Sequence, residues 1–362
     1  MLQPLAPLRY PLEDRLPATG EVLTVAPGVL WLRMMLPFAL DHINLWLIED
    51  VSDTGQPGWA VVDAGIALPA VQQAWEQVFA HPALRGWPVL RVIVTHMHPD
   101  HLGLADWLCR RWSTPAQTCR LWISATDWLT ARLARLERTG YGGERTAAFF
   151  AQHGIQDEAL LHALRTDPNG YTRMVPAVPE SFRRLEDGLT LRLGAHDWQC
   201  IVGRGHAPEH ISLHCAALDV LISGDMVLPR ISSNVSVTDL EPEANALRWY
   251  LDSLDTLRTR VPDSALVLPS HGLPFTGLHG RIAELHAHHA ERLDDVRQAC
   301  AQRPHSAAEL LDVLFKRPLD AYQLRFALPE AVAHVNWLWL AGELCPLRGE
   351  DGVQRFTLVT SP

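Results

Sequence analysis

Lysine is almost absent from this 362-residue chain, which contains a single one, Lys316. Arginine supplies the other basic residues, and acidic residues outnumber them, which gives a formal net charge of −10. Binding to a phosphate backbone usually depends on lysine and arginine side chains. We therefore do not expect this acidic chain to bind nucleic acid.

Cysteine pairs and long apolar runs are also missing. The six cysteines form no C-x-x-C pair and show no regular spacing, which indicates reduced, mostly buried thiols and a cytoplasmic location. The most apolar early run, residues 29–40, is too short to cross a bilayer. The first 21 residues lack a basic start followed by an apolar core. We therefore expect neither a membrane segment nor a signal peptide.

A cluster of potential metal ligands directly follows a short β-branched run. Residues 92–94 predict a buried strand, and the sequence THMHPDH follows at once. Residues two apart in an extended segment point the same way, so His96 and His98 can face one metal. The next two candidates, Asp100 and His101, then face a second metal. A helix capped by Asp100 is the plainer alternative, but a cap does not require three histidines.

Three later apolar runs each end in one further candidate ligand, namely His206, Asp225 and His271. A lone histidine after a strand is more often structural, but together these residues complete two sets of ligands. The predicted sets are His96, His98 and His206 for one ion and Asp100, His101 and His271 for the other, with Asp225 bridging them. Each ion then has nitrogen-rich ligands and room for water, as a catalytic site requires.

Such a centre predicts hydrolysis. Two divalent ions lower the pKa of a bound water toward about 7, which favours a bridging hydroxide as the nucleophile. The ions also polarise the carbonyl or phosphoryl oxygen of the substrate. Asp100 is in addition a catalytic candidate that relays a proton to the leaving group. Zinc is the expected metal, with iron or manganese as alternatives, because histidine and carboxylate ligands suit all three.

These residues resemble the metallo-β-lactamase superfamily, whose pattern H-x-H-x-D-H followed by H, D and H is complete here. The resemblance covers roughly residues 22–278. It implies an α/β fold, the αββα sandwich, with a dinuclear site along one edge. β-Lactamases of the superfamily do not use a bridging aspartate at the position of Asp225, and the oxygen-reducing di-iron branch has a glutamate in place of His98.

The glyoxalase II-like branch fits the remaining motifs best. The sequences PSHG around His271 and GHAP around His206 look like those of its thioesterases. Ala207 and Glu209 replace the threonine and glycine usual in that branch, which leaves the substrate open. The resemblance implies cleavage of a small-molecule thioester, ester or lactone. A phosphodiesterase or nuclease of the same superfamily is the alternative.

The predicted hydrolase domain comprises residues 1–282 and contains a helical insertion at about 125–180. The insertion is predicted from leucines at helical spacing. It can serve as a lid over the site, as the surface of a homodimer, or simply as packing on the outside of the sandwich.

The predicted C-terminal domain comprises residues 283–362. Helices at 283–302, 306–315 and 329–341, followed by a hairpin, resemble a winged helix. Winged helices often bind nucleic acid, which keeps the nuclease alternative open. The helix that would enter a groove has no arginine or lysine over 331–340, however. We therefore expect this module to be a packing or dimerisation element that helps to wall the substrate pocket.

Two further residues are candidates for substrate binding. His210 lies four residues beyond His206 and either supports a metal ligand or lines the pocket. Asn234 belongs to a segment that is either a substrate-contact loop or an ordinary turn. The histidines at 286, 288 and 289 are interpreted as a solvated helix face.

Overall fold

Two β-sheets face each other in the computed structural model, which describes residues 8–137, 140–166 and 170–359. The strands of the first sheet lie side by side in chain order: β1 (Leu23–Ala26), β2 (Val29–Met35), β3 (His42–Val51), β4 (Pro57–Val62), β5 (Val89–Ile93), β6 (Arg120–Ser124) and β7 (Phe182–Leu185). The β1 to β4 pairs are antiparallel, and the β4 to β7 pairs are parallel.

The second sheet has the spatial order β12-β11-β10-β9-β8. Its strands are β8 (Thr190–Leu193), β9 (His196–Gly203), β10 (His210–Cys215), β11 (Val220–Gly224) and β12 (Leu266–Pro269). Only the β11 and β12 pair is parallel among the described strands of this sheet. The carboxyl ends of β11 and β12 therefore lie at one edge.

Helices cover the outer faces of both sheets. The helices before the C-terminal module are α1 (Pro69–Ala80), α2 (Pro99–Leu102), α3 (Ala105–Trp112), α4 (Ala125–Glu137), α5 (Glu144–Gln152), α6 (Glu158–Thr166), α7 (Gly170–Met174) and α8 (Ala246–Arg260). A 3-10 turn also spans Pro82–Leu84. Helices α4 to α7 form the predicted insertion, and the sequence did not predict α7. The αββα architecture is confirmed.

The period-two pattern of the strands divides the core into layers. In β2, Leu30 and Leu32 pack beneath the helices of the first sheet, whereas Val29 and Trp31 face the second sheet. Alternate side chains of a strand point to opposite faces, so one strand serves both layers. The same holds for β11, whose Leu221 packs on the opposite side from Ile222.

The C-terminal module consists of three helices and a hairpin. Its elements are α9 (Leu278–Gln302), α10 (Leu311–Leu314), α11 (Ala321–Leu340), β13 (Leu344–Arg348) and β14 (Gln354–Leu358). The domain boundary predicted after residue 282 falls inside α9. The hairpin lies where it was predicted, and the winged-helix resemblance stays a prediction. Within the described part of the chain, no helix is both long and apolar enough to span a membrane.

Two helix bounds in this module were predicted wrongly. Pro329 lies inside α11, which begins eight residues earlier because Asp320 accepts a hydrogen bond from the backbone N–H of Gln323. The capping box of Ser306 and Glu309 forms, but it opens a turn and only the four-residue α10 follows. A local cap sets where a helix begins, and tertiary packing sets its length.

The interpretation of all three α9 histidines as a solvated face is wrong for His289. This side chain is fully buried, and its Nδ1 lies 3.3 Å from Nε2 of His334 on α11. The reason is that α11 packs over α9 on the face that carries His289. No signal within α9 itself distinguishes a face covered by another helix from a face in water.

Candidate metal centre

The loop after β5 presents four candidate ligands because its backbone is tightly held. Pro99 starts the short helix α2, which places Asp100 in its first turn instead of at the cap. Gly103 then ends the helix. A Cβ there would lie only 2.6 Å from both the backbone nitrogen of Ala67 and the carbonyl oxygen of Pro99. Glycine therefore allows the close approach that turns His101 inward.

One group of imidazoles comes together at the sheet edge. Nε2 of His96 lies 2.9 Å from Nδ1 of His98 and 3.2 Å from Nε2 of His206. Two nitrogens bound tetrahedrally to one zinc ion at about 2.0–2.1 Å stand roughly 3.3 Å apart. The three nitrogens therefore have nearly the spacing of ligands around one cation.

A second group lies beside the first. Nε2 of His271 is 3.4 Å from a carboxylate oxygen of Asp100, and Nε2 of His101 is 3.8 Å from the same oxygen. Three donor atoms of this group also lie within reach of one ion.

Asp225 stands between the two groups. Its Oδ2 lies 3.3 Å from His206 Nε2, while its Oδ1 lies 3.5 Å from His271 Nε2 and 3.6 Å from His101 Nε2. The structure thus brings together all seven residues predicted as ligands, in the predicted two sets. Metal binding by them stays a prediction.

The donor atoms fit a cation. Among the described residues, the buried His101 Nε2 and Asp225 Oδ1 have no hydrogen-bond partner. Buried polar atoms without a partner are rare, and a bound ion is one of the groups that satisfies them. Borderline imidazole nitrogens together with carboxylate oxygens suit zinc, iron and manganese.

The two groups differ in protonation. Burial, followed by the charge of His206, lowers the pKa of His98 to about 3, so this imidazole is neutral and ready to bind metal. Burial also acts to lower the pKa of His271, but the charges of Asp225 and Asp100 raise it to about 10. A metal that binds this second group must displace a proton.

The other ring nitrogen of four of these histidines is held by an outer partner. The pairs are His96 Nδ1 with Thr95 Oγ1 at 3.0 Å, His101 Nδ1 with Asp63 Oδ2 at 2.8 Å, His206 Nδ1 with the Asn234 carbonyl oxygen at 2.7 Å, and His271 Nδ1 with the His42 carbonyl oxygen at 2.8 Å. Such contacts fix the ring orientation of a metal-binding histidine.

The two candidates for substrate binding, His210 and Asn234, form hydrogen bonds to other residues of the protein. The Asn234 side chain donates to Glu330 at 3.1 Å, and its backbone carbonyl accepts from His206. His210 is fully buried, and its Nε2 accepts a hydrogen bond from the backbone N–H of Asp225 at 3.1 Å. Both residues thus support predicted ligands, and substrate contact by either stays a prediction.

Asp127 is a residue of the site that the sequence did not reveal. Its carboxylate accepts hydrogen bonds from the backbone N–H of Met97 at 2.8 Å and of Glu209 at 2.7 Å. Met97 lies between two predicted ligands, and Glu209 follows the loop of His206. One buried carboxylate therefore ties the two ligand loops together. The sequence shows only an acidic residue near the start of a helix.

The αββα sandwich with this pattern of candidate ligands at its edge is typical of a class of metal-binding proteins. The profile of the metallo-beta-lactamase superfamily matches residues 39–297, and that of the metallo-beta-lactamase-like C-terminal domain matches residues 293–359. The chain belongs to the metallo-beta-lactamase superfamily.

Similar proteins cover nearly the whole chain. A beta-lactamase domain protein from Burkholderia ambifaria is 51% identical, with a TM-score of 0.90 over 97% of this chain and 98% of that one. The metallo-beta-lactamase family protein TTHA1429 from Thermus thermophilus is 26% identical, with a TM-score of 0.75 over 93% and 100%. The probable metallo-hydrolase YqjP of Bacillus subtilis is 23% identical over 86% of this chain and 92% of its own length.

Proposed function

We propose that this metallo-hydrolase of the superfamily cleaves a small thioester, ester or lactone with two divalent ions held at the candidate centre. The observation that carries the proposal is the position of Asp225 between the two groups of donors. When bound, two such ions supply an activated water as the nucleophile and polarise the carbonyl oxygen. Zinc is the proposed metal, with iron or manganese as alternatives.

Asp100 is the proposed proton donor to the leaving group. Its side chain is 19% exposed, whereas that of the neighbouring His101 is fully buried. Burial acts to raise the pKa of Asp100, but the charges of His101 and His271 bring it down to about 2. The carboxylate is therefore charged when a substrate arrives. It can take the proton that the attacking water releases and pass it to the departing oxygen or sulfur.

An aromatic wall supports the choice of a small organic substrate. Tyr322 of α11 stacks on Phe38 with ring centroids 5.6 Å apart and contacts Phe326 edge-on at 5.3 Å. Burial raises the pKa of Tyr322, and the charge of Asp100 adds to this shift, so Tyr322 is close enough to Asp100 to interact with it electrostatically. Aromatic side chains offer apolar contact to an acyl group and no charge to a phosphate backbone.

The test is turnover by the metal-loaded protein of acyl thioesters, aryl esters, lactones and single-stranded RNA, with metal content measured by mass spectrometry. Asp225→Ala should lose metal and activity together, whereas Asp100→Asn should weaken metal binding at the second group and lose turnover even when the metal is saturating. Full activity with one ion or none would overturn the proposal. Cleavage of RNA alone would support the phosphodiesterase alternative instead.

A further inference from the structure

A cavity of about 350 Å³ adjoins the candidate centre at His271. Leu40 and Ile231 contribute apolar walls, and two arginines, Arg33 and Arg230, also line it. The volume lies at the small end of the range for ligand pockets, which suits a substituent of a few carbon atoms. A substrate whose reactive bond lies at the centre can therefore extend into this cavity past His271.

Arg33 has an unusual environment for an arginine of this chain. It is partly buried on β2, yet no described residue forms a hydrogen bond or an ion pair with its guanidinium. Two other partly buried arginines are paired, Arg91 with Asp50 at 2.7 Å and Arg297 with Glu343 at 2.5 Å. A guanidinium that is half out of water and lacks a carboxylate is poised to bind one.

Nearby acids form no ion pair with Arg33. Burial lowers the pKa of its guanidinium below the usual value, although the charge of Asp41 acts to raise it. Asp41 is exposed, and its carboxylate lies 2.7 Å from Nδ1 of His42 instead of on the guanidinium. Asp14 lines the cavity but is exposed and forms no ion pair with either arginine within the described chain. Arg230 is exposed on the loop that follows β11, on the cavity wall. The cavity therefore offers two guanidinium groups to an incoming anion.

We propose that Arg33, together with Arg230 on the lining of the same cavity, binds a carboxylate on the substrate and so makes the enzyme selective for anionic esters or thioesters. This inference rests on the proposed function, because it assigns the substrate class of the same site. It also explains how a chain with a net charge of −10 can attract an anionic substrate. Local positive charge in a cleft outweighs the opposite net charge of the molecule at short range.

Matched substrates test the proposal. One pair is 4-nitrophenyl butyrate and the mono-4-nitrophenyl ester of glutaric acid, which carries the carboxylate on the acyl side. The other pair is the butyryl thioesters of N-acetylcysteamine and 3-mercaptopropionate, which carries it on the leaving group. We expect kcat/KM to favour the anionic member of at least one pair about tenfold, because only that member can form a charge-assisted hydrogen bond with the guanidinium.

Arg33→Gln should lower that preference about tenfold, and Arg230→Gln should lower it less. Arg184→Gln, which removes the same charge from an exposed position on β7, is the matched control and should leave the preference unchanged. Equal turnover within both pairs, or a preference that survives Arg33→Gln, would overturn the inference while the proposed hydrolysis stands.

Calorimetry separates the inference from the hydrolysis. The anilides of glutaric acid and of butyric acid are titrated into the metal-loaded protein and into Arg33→Gln. Tighter binding of the acidic anilide, lost in the variant, supports the carboxylate site even if no ester is cleaved. Equal binding of the two anilides by the unsubstituted protein refutes it.

Discussion

The carboxylate of Asp63 lies 2.8 Å from Nδ1 of His101, and both side chains are buried. Asp63 also accepts a hydrogen bond from the backbone N–H of Thr95 at 2.7 Å. Its φ of 63° lies in the left-handed region, which aspartate tolerates better than most residues. One side chain at the end of β4 thus orients the ring of His101 and fixes the start of the ligand loop.

Replacing Asp63 by asparagine should weaken metal binding at the second group about 10–100-fold. Asparagine tolerates the same left-handed backbone conformation. The expected loss of metal affinity therefore reports the loss of the negative charge and of the hydrogen-bond acceptor opposite His101. Competition with a chromophoric chelator measures the affinity. Asp50→Asn is the matched control, because Asp50 is buried on a neighbouring strand, where it pairs with Arg91. If both variants lose metal equally, the effect is general destabilisation.

Replacing Asp127 by asparagine should lower kcat/KM about tenfold or more. The carboxylate accepts hydrogen bonds from the backbone N–H groups of Met97 and Glu209. The NH₂ group of an asparagine can only donate, so it cannot accept from one of these two N–H groups. One of the two ligand loops then loses its anchor. Steady-state kinetics at saturating metal measures the effect. Asp157→Asn, at an exposed helix start, should leave kcat/KM within twofold. Unchanged kinetics in Asp127→Asn would refute the positioning role.

Replacing Gly224 by alanine should cost several kcal/mol of stability and disrupt the centre. The residue has a φ of 53°, and a Cβ there would overlap Nε2 of His210. That ring accepts from the backbone N–H of Asp225, so the collision displaces the bridging candidate. Chemical denaturation and metal content together check this. Gly352→Ala is the control. Gly352 has a φ of 75° and open space around it, so this variant measures the cost of the backbone conformation without a collision.

Glu330 should make stability fall between about pH 4.5 and 7. Burial raises its pKa from 4.5 to about 7, although the hydrogen bond from Asn234 acts in the opposite direction. The folded state therefore holds a proton that the unfolded state releases, so stability is highest below the unfolded pKa and is lost as the pH rises. The contribution is on the order of 1–3 kcal/mol.

Urea unfolding of metal-free protein at pH 5 and pH 8 measures this contribution. The difference between the two pH values should be smaller in Glu330→Gln than in the unsubstituted protein. Glu291→Gln removes the same charge from an exposed position of α9 and should leave the difference unchanged. If the free energy of unfolding of Glu330→Gln depends on pH as much as that of the unsubstituted protein, the effect comes from other groups.

Much of the centre could be predicted because its ligands lie at the ends of apolar strands. Local sequence predicts such strands, and parallel strands such as β11 and β12 bring their carboxyl ends to one edge. Asp225 and His271 were found in this way. The sandwich followed from the motif pattern, and three of the four insertion helices followed from helical spacing.

The outer partners could not be predicted, because they act across long separations in sequence. Asp127 binds the N–H of Glu209, 82 residues away, and the carbonyl of His42 meets a ring 229 residues away. Nothing local distinguishes such an aspartate from a helix start. The buried His289 and the internal Pro329 were missed for the same reason, since packing between α9 and α11 decides both.

The candidate ligands come from both sheets, His96 to His101 from the first and His206, Asp225 and His271 from the second. An ion held there is a cross-link between chain segments more than a hundred residues apart. A bound ion stabilises the folded state, and this stabilisation grows with the logarithm of the ratio of the free metal concentration to the dissociation constant. We therefore expect the thermal midpoint of this protein to rise with the free metal concentration around it.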